Sequence, residues 1–186
     1  MTRPGAPVCP AEGAPTPPTR SSERRGLRAG VALALTVGLV GGVRAGVAAP
    51  VRVTSSSMLP TLAPGDVVLV GEAGLSPGDL VHGDLVTFLS PQDGERGLKR
   101  VVGLPGDRVV IKDAVLHVND RPVAEPYVDH QLIDAYYSRT FTVPPGSFFV
   151  LGDHRGNSTD SRDYGPVPDA ALQGRVLAVL WPPGRP

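Results

Sequence analysis

The chain has 186 residues, enough for one folded domain with a tail and an anchor segment but hardly for two independent domains. With 23 Gly and 21 Pro, the composition excludes a protein built of long helices and favours a β-rich domain with many turns. The net charge of zero lacks the basic excess of a nucleic-acid-binding protein, and the single Cys9 excludes a disulfide framework.

The N-terminal region divides into a polar tail and an apolar segment. Residues 1–26 are predicted to be disordered, because Pro, Ala, Gly, Thr and Ser without apolar periodicity cannot bury enough surface to offset the entropy of ordering. Residues 27–49 are predicted to form one transmembrane helix. Ala29 to Val43 carry no charge, and the apolar stretch continues to Ala49 if Arg44 extends its guanidinium into the lipid headgroups.

The charges around the apolar segment predict its orientation. The first 28 residues carry five Arg against two Glu, and no comparable basic cluster follows the segment. By the positive-inside rule the tail is then cytoplasmic, and the remainder of the chain lies on the extracytoplasmic side of the cell membrane.

A cleaved secretory signal is an alternative interpretation of the same segment. Val47, Ala48 and Ala49 satisfy the small-residue pattern of a cleavage site. Two features oppose it: Pro50 would follow the cut, and the tail before the apolar run is long. A helix buried in a soluble core is a weaker alternative, because the rest of the chain is short and has the pattern of strands.

After Pro50 the sequence consists of short β-type runs separated by Pro, Gly and Asp. Asn119-Asp120 between two such runs predicts a hairpin. A mostly β, antiparallel domain is therefore expected. The predicted strands are 51–54, 66–70, 84–89, 107–111, 115–118, 121–124, 148–151 and 175–181.

Ser57 is the candidate nucleophile. It lies in the run Ser-Ser-Ser-Met-Leu-Pro-Thr-Leu at residues 55–62, directly after the first predicted strand. A serine hydroxyl is far from ionised at neutral pH, so it needs a base within hydrogen-bond reach. The chain offers four His and two Lys as possible bases.

Lys99 is a chemically plausible base. Its strand-like run places Lys99 and Val101 on one face and Arg100 on the other, so we expect Lys99 to face the core and Arg100 to face water. Burial would lower the pKa of the amine and make the neutral form available. The chain has sixteen Arg, which cannot act as bases, and only two Lys, although Lys112 shows that a lysine also occurs in an ordinary turn.

Histidine offers a rival base. His82, His117 and His130 lie in polar contexts where a solvated surface histidine is the usual finding. His154 adjoins Asp153, but neighbouring side chains in an extended segment point apart, so Asp153 is poorly placed to orient its ring. A Ser57/His154 arrangement remains open on these grounds alone.

Four motifs in order resemble the bacterial type I signal peptidases, a family of serine endopeptidases that use a Ser/Lys dyad. They are Ser-x-Ser-Met-x-Pro-Thr-Leu at 55–62, Gly-Asp-x-Val-x-Phe at 83–88, Lys-Arg-Val-Val-Gly-Leu-Pro-Gly-Asp at 99–107, and Gly-Asp-His-Arg-Gly-Asn-Ser-Thr-Asp-Ser-Arg at 152–162. The resemblance covers nearly all of residues 51–181 and the apolar segment before them.

The resemblance implies roles for individual residues. Ser57 would be the nucleophile and Lys99 the general base, while Ser55 would lend its hydroxyl to an oxyanion hole and Ser158 would orient the Lys99 amine. Asp160 and Arg162 would form an ion pair that fixes the loop, with Asp153 and Arg155 supporting it. His154 stands where many relatives have asparagine, so its role is not implied.

The resemblance also implies fold and function. We expect an antiparallel catalytic domain at 50–182, with a core at about 51–102 and 144–181 and a small inserted β part at about 104–143. It would remove signal peptides of secreted preproteins after small residues of the Ala-x-Ala type, close to the lipid bilayer and the export translocon. No cofactor, metal or nucleic acid is expected. Segments 52–57 and 79–88 are predicted to line the substrate groove.

Two other functions fit parts of the pattern. Self-cleaving repressor-like peptidases share the Ser/Lys chemistry but lack a membrane span and the signature at 152–162. A catalytically dead, membrane-tethered β domain that binds export partners is the second, although such a domain has no reason to keep Ser57, Lys99 and Ser158 together.

Overall fold

A computed structural model describes residues 48–128 and 139–181. The predicted tail, most of the predicted transmembrane helix, Cys9 and His130 lie outside these residues. Ala48 and Ala49 are described, and both belong to a β-strand. The expectation that the helix continues to residue 49 is therefore wrong at its end, because these two residues pair with a neighbouring strand. Within the described ranges, no helix is long and apolar enough to cross a membrane.

Eleven strands are described, together with three short 3₁₀ turns and one four-residue helix, α1 (Ser161–Tyr164). The strands are β1 (Ala48–Arg52), β2 (Val67–Gly71), β3 (Leu85–Leu89), β4 (Arg96–Gly103), β5 (Arg108–Lys112), β6 (Val115–Val118), β7 (Arg121–Pro122), β8 (Phe141–Thr142), β9 (Ser147–Leu151), β10 (Val167–Pro168) and β11 (Leu172–Trp181). The 3₁₀ turns are Pro77–Asp79, Arg155–Asn157 and Asp169–Ala171.

The strands form two antiparallel sheets. The larger has the order β1-β2-β11-β3-β4-β9-β10, and the smaller has the order β7-β6-β5-β8. The smaller sheet lies within the stretch 104–143 where the insertion was expected, and the larger sheet combines strands from both sides of it. The mostly β, antiparallel fold class is thus confirmed for the described residues.

The Pro-Gly-Asp sequences between strands form turns that are closed by hydrogen bonds. At Ala63-Pro64-Gly65-Asp66, the Asp66 N–H donates to the Ala63 carbonyl (3.1 Å), and the Asp66 carboxylate accepts from the Ala63 N–H (2.9 Å). Gly65 has a φ of +97°, which a residue with a Cβ rarely adopts. The same two bonds close the turn between Leu104 and Asp107.

Two strands join the sheets through alternate side chains. Phe148 and Val150 of β9 pack with Val86, Phe88 and Val101 in one core, which faces the larger sheet. Phe149 and Leu151 point the other way, into a core shared with Val109, Ile111 and Leu116 of the smaller sheet. Val101 and Val102 of β4 divide between the same two cores.

A third core fixes the segment that follows β1. Val53, Met58 and Leu62 pack against Val68 and Val70 of β2. Met58 and Leu62 are almost completely buried, and the Leu62 N–H donates to the Met58 carbonyl at 2.8 Å. The turn that carries residue 57 is therefore held by apolar side chains on the strand beside it.

Candidate active site

The structure brings Ser57 and Lys99 together. Lys99 lies in the middle of β4, opposite Val86 of β3, and its Nζ donates to Ser57 Oγ at 2.7 Å. Each residue is 7% exposed. Forty-two positions separate them in the chain, so only the folding of β4 against the turn after β1 creates this contact.

Burial of the Lys99 amine lowers its pKa, because removal from water disfavours the ammonium form. The negative charge of Asp160 opposes this shift, and the positive charge of Arg162 adds to it. A lysine with a lowered pKa supplies a neutral amine more readily, and its lone pair can then accept the Ser57 proton.

Ser55 lies beside the same hydroxyl. Its Oγ is 3.1 Å from Ser57 Oγ. The two residues are separated by one position in the segment between β1 and the turn at Met58. The Ser55 hydroxyl is therefore within hydrogen-bond reach of the atom that would attack a substrate carbonyl.

Ser158 has a different partner from the one expected. Its hydroxyl donates to Asp160 Oδ2 at 2.9 Å. No hydrogen bond joins Ser158 to Lys99 in the described part of the chain, so the expected orienting bond is not seen in the structure. The Asp160 carboxylate that accepts from Ser158 also carries the negative charge that opposes the lowering of the Lys99 pKa.

Asp160 and Arg162 form the expected ion pair. Arg162 Nε is 2.8 Å from Asp160 Oδ1, and Arg162 Nη2 is 2.9 Å from Oδ2. Asp160 also caps α1 and accepts from the Gly152 N–H at 2.9 Å. One fully buried carboxylate thus joins the end of β9 to the start of α1.

Asp153 and Arg155, which were expected to support the loop, each bond to a residue outside it. Asp153 accepts two bonds from Arg100, at 2.8 and 2.6 Å, and a third from the Thr61 hydroxyl at 2.5 Å. Arg155 pairs with Glu125. Their support comes from β4, from the turn after Ser57 and from the segment after β7.

Arg100 does not face water, contrary to expectation. Its side chain is only 11% exposed, and its guanidinium lies 3.8 Å above the ring of Tyr127. Alternation along β4 correctly separates Arg100 from Lys99. The error arose because the second face of β4 is covered by the loop at Asp153, and sequence alternation does not reveal that cover.

His154 contacts the backbone of the serine turn. Its backbone N–H donates to the Ser57 carbonyl at 3.0 Å. Its ring Nδ1 lies 3.3 Å from the Ser56 carbonyl oxygen. The described hydrogen bonds of the Ser57 hydroxyl go to Lys99 and Ser55. The geometry therefore gives the rival Ser57/His154 arrangement no support. Lys112, the other lysine, is exposed at the end of β5.

Gly152 allows the loop to approach Ser57. A Cβ at this position would lie 2.2 Å from Ser158 Oγ and 2.6 Å from the Ser57 carbonyl oxygen. Both distances are far below a normal contact. Only glycine therefore permits this close packing of the loop against the serine turn.

A groove of about 180 Å³ opens beside Ser55. One wall is formed by residues 51–55 with Met58, which overlaps the predicted segment 52–57 at residues 52–55. The other wall comes from Arg96, Gly97 and Leu98 of β4, with Thr87 of β3. Of the predicted second wall at 79–88, only Thr87 lines this groove.

Sequence reasoning missed Thr61, Arg100, Tyr127 and Glu125 as residues around the site. Thr61 and Arg100 lie inside the recognised motifs, so their polar side chains beside buried positions were an available signal. Glu125 and Tyr127 occur in a Pro-containing segment with no periodicity, and nothing in that pattern indicates their partners.

Comparisons with known proteins identify the family of the chain. Residues 27–181 match the family model described as "Signal peptidase, peptidase S26". A signal peptidase I of Bacillus caldolyticus is 36% identical over 176 residues, covering 88% of this chain and 95% of the relative. A signal peptidase IB of Staphylococcus aureus (strain COL) is 34% identical over 149 residues, covering 72% and 78% respectively.

A crystal structure of a signal peptidase I from Enterococcus faecalis V583 is also similar. It is 35% identical and covers 54% of this chain and 97% of that one, with a TM-score of 0.47. The family model spans most of the chain, and the curated relatives are matched over most of their length. The chain therefore belongs to the signal peptidase family, peptidase S26, and is a serine endopeptidase of the signal peptidase I type.

Proposed function

We propose that this chain removes signal peptides from secreted preproteins with Ser57 as nucleophile and Lys99 as general base. The observation that supports this proposal most directly is the 2.7 Å contact between the Lys99 amine and the Ser57 hydroxyl. Both residues are buried. A buried amine with a lowered pKa beside a serine hydroxyl has the arrangement that activates a serine.

The mechanism is acyl transfer. The neutral Lys99 amine takes the Ser57 proton as Oγ attacks the scissile carbonyl, and the resulting ammonium protonates the leaving amine. Water then attacks the acyl-enzyme with the same lysine as base, which releases the signal peptide and restores the serine. No cofactor or metal takes part in these steps.

The tetrahedral intermediate carries a negative oxygen that needs donors. Ser55 Oγ lies 3.1 Å from Ser57 Oγ, close to where that oxygen would form. With the Ser57 N–H, the Ser55 hydroxyl would form the oxyanion hole. Loss of one such donor lowers the rate by roughly a hundredfold or more.

The groove beside Ser55 supports cleavage after small residues. Its volume of about 180 Å³ is shared along the segment 51–55 and β4, and its lining includes Val51, Val53, Met58 and Leu98. An extended signal peptide between these two segments would gain main-chain hydrogen bonds, while shallow apolar pockets accept alanine side chains. The substrate class is then a preprotein with an Ala-x-Ala site.

The membrane setting belongs to the same proposal. The apolar residues before β1 would form a single-pass anchor, with the tail in the cytoplasm and the catalytic domain on the extracytoplasmic side of the cell membrane. Ser57 follows β1 by a few residues, so the nucleophile would work near the bilayer and the export translocon. Nucleic acid has no part in this function.

The test is cleavage of a preprotein with an Ala-x-Ala site by the detergent-solubilised full chain. Ser57→Ala and Lys99→Ala should each lower kcat/KM by about a thousandfold or more, since both residues act on the proton that is transferred. Lys112→Ala is the matched lysine control and should keep wild-type activity, because Lys112 is exposed at the end of β5.

The outcomes separate the remaining alternatives. Full activity of Ser57→Ala or Lys99→Ala would contradict the dyad. A wild-type chain that binds the preprotein without cutting it would indicate a catalytically dead domain. A chain that cuts only itself would indicate a repressor-like peptidase.

A further inference from the structure

Glu125 is a buried acid away from the dyad. It follows β7, and its side chain is fully buried against Arg155. Arg155 Nη2 and Tyr127 Oη both donate to Glu125 Oε1, the second at 3.2 Å. The segment after β7 therefore provides a negative charge behind the loop that begins at Gly152.

Arg155 connects this charge to the loop. Its Nε donates to the Gly152 carbonyl oxygen at 3.1 Å. The loop in turn contacts the backbone of Ser57, because the backbone N–H of His154 donates to the Ser57 carbonyl at 3.0 Å. Glu125 is thus two hydrogen-bonding steps from the loop backbone that holds Ser57 in place.

A second series of contacts to the loop starts from the same segment. The Tyr127 ring lies 3.8 Å from the Arg100 guanidinium, which makes two hydrogen bonds to Asp153. The Tyr127 hydroxyl donates to Glu125. Two guanidinium groups therefore hold the start of the loop, one at the Gly152 carbonyl and one at the Asp153 carboxylate, and residues 125–127 contact both of them.

Stability alone is a poor explanation for a buried charge pair. The cost of removing both ions from water commonly cancels their attraction, and apolar residues of similar size often replace such pairs without loss. Among the residues that the structure describes, Glu125 Oε2 and Arg155 Nη1 also have no hydrogen-bond partner. A role in fixing the guanidinium geometry accounts for the pair better.

We infer that Glu125 is a positioning residue for the peptidase reaction: it fixes Arg155, which holds the Gly152–Arg155 loop and thereby the backbone of Ser57. This inference rests on the proposed function. Glu125 and Arg155 do not line the groove beside Ser55, so the effect falls on turnover rather than on substrate binding. The charges that shift the pKa of Lys99 are those of Asp160, Arg162 and Asp153.

The test compares Glu125→Gln with the double variant Glu125→Leu/Arg155→Met in the detergent-solubilised full chain. Glu125→Gln keeps the shape but removes the charge, and kcat should fall about tenfold to a hundredfold from a displacement on the order of 1 Å. KM and the acid limb of the pH profile should stay unchanged. Asp120→Asn is the control, since Asp120 forms an exposed ion pair with Arg108 and should keep wild-type kinetics.

The double variant separates positioning from stability. An apolar pair in the same space should return Tm toward the wild-type value, but kcat should stay low because the Gly152 carbonyl has lost its donor. All rates are measured at a temperature where circular dichroism shows each variant folded, so that unfolded chains do not contribute.

Three results would overturn the inference. They are wild-type kcat in Glu125→Gln, recovery of kcat in the double variant, and a shifted acid limb, which would mean that Glu125 acts through the charge of Lys99. An inactive wild-type chain would instead contradict the proposed function, which keeps the two failures distinct.

Discussion

At the scale of single residues, the site depends on one amine that is moved out of water. Lys99 is buried, and that burial lowers its pKa, while the carboxylate of Asp160 limits the shift. Burial and the Asp160 charge therefore act on the Lys99 pKa in opposite directions.

The pH dependence of cleavage follows from this shift. Lys99 accepts the Ser57 proton only when neutral, so kcat/KM should rise with pH and level off above its pKa in the folded enzyme. Because that pKa is lowered, the plateau should begin below the ordinary lysine value of 10.5. The measurement is kcat/KM against pH, with circular dichroism to show that the chain stays folded.

His154→Ala serves as the control for this profile. The variant should keep the same acid limb, because the His154 ring contacts the Ser56 carbonyl and has no bond to the Ser57 hydroxyl in the described residues. A flat profile between about pH 5 and pH 9, or an acid limb that disappears with His154, would contradict Lys99 as the base.

Pattern and resemblance together predicted the close approach of Ser55, Ser57 and Lys99 better than the partners of the charged residues around them. Alternation along β4 predicted a buried Lys99, and the motifs predicted Ser55 and Ser57 near it. The partners of Asp153 and Arg155 were not predictable, because they depend on which distant segments the topology brings together. Arg100 is 53 positions from Asp153, and Glu125 is 30 from Arg155.

At the scale of elements, the loop between β9 and α1 fixes the position of the backbone around Ser57. It begins at Gly152 and ends at Asp160, whose carboxylate bonds back to the Gly152 N–H. The loop is therefore closed on itself and packed against the Ser57 carbonyl. A change in its backbone position should therefore displace Ser57.

Gly152→Ala tests this element directly. The added methyl would overlap Ser158 Oγ and the Ser57 carbonyl oxygen, so the loop must move away from the serine turn. We expect kcat/KM to fall by about a hundredfold or more, with a smaller loss of stability. Peptide cleavage and thermal unfolding of the full chain measure the two effects.

The matched glycine control is Gly78→Ala. A Cβ there would meet only Ser76 Oγ, at 3.8 Å, which is ordinary contact. This variant should cleave at the wild-type rate. Equal activity in Gly152→Ala and Gly78→Ala would show that the close approach at Gly152 is not needed for catalysis.

Local turn chemistry explains why most strands were predicted to within a few residues. The Asp carboxylates close their turns locally, and Asn119 and Asp120 both adopt a positive φ in the predicted hairpin. The two-residue strands β8 and β10 were missed, because such short runs carry no periodicity. The place of β11 between β2 and β3 is a long-range pairing that no local pattern reveals.

At the scale of the whole molecule, β1 bears on the two interpretations of the N-terminal region. Ala48 and Ala49 pair with Gly71 and Val70 of β2. Cleavage after Ala49 would cut inside this strand and remove two of its five paired residues. Such a cut would therefore shorten this edge strand of the larger sheet.

Retention can be measured on chain expressed in a bacterium with a C-terminal tag. We expect the recovered protein to have the mass of the full 19.4 kDa chain plus the tag, and to stay with membranes after alkaline extraction. An Ala49→Tyr variant is the control, since a large residue there would block any cut. A wild-type N-terminus at Pro50, with intact Ala49→Tyr, would establish the cleaved-signal interpretation.

The alternating side chains of β9 have a consequence for how the protein unfolds. Phe148 and Val150 complete one core while Phe149 and Leu151 complete the other, so a single strand closes both. Melting of the smaller sheet would expose β9 and weaken the strand immediately before Gly152. We therefore expect the loop that begins at Gly152 and the smaller sheet to unfold together as one cooperative unit.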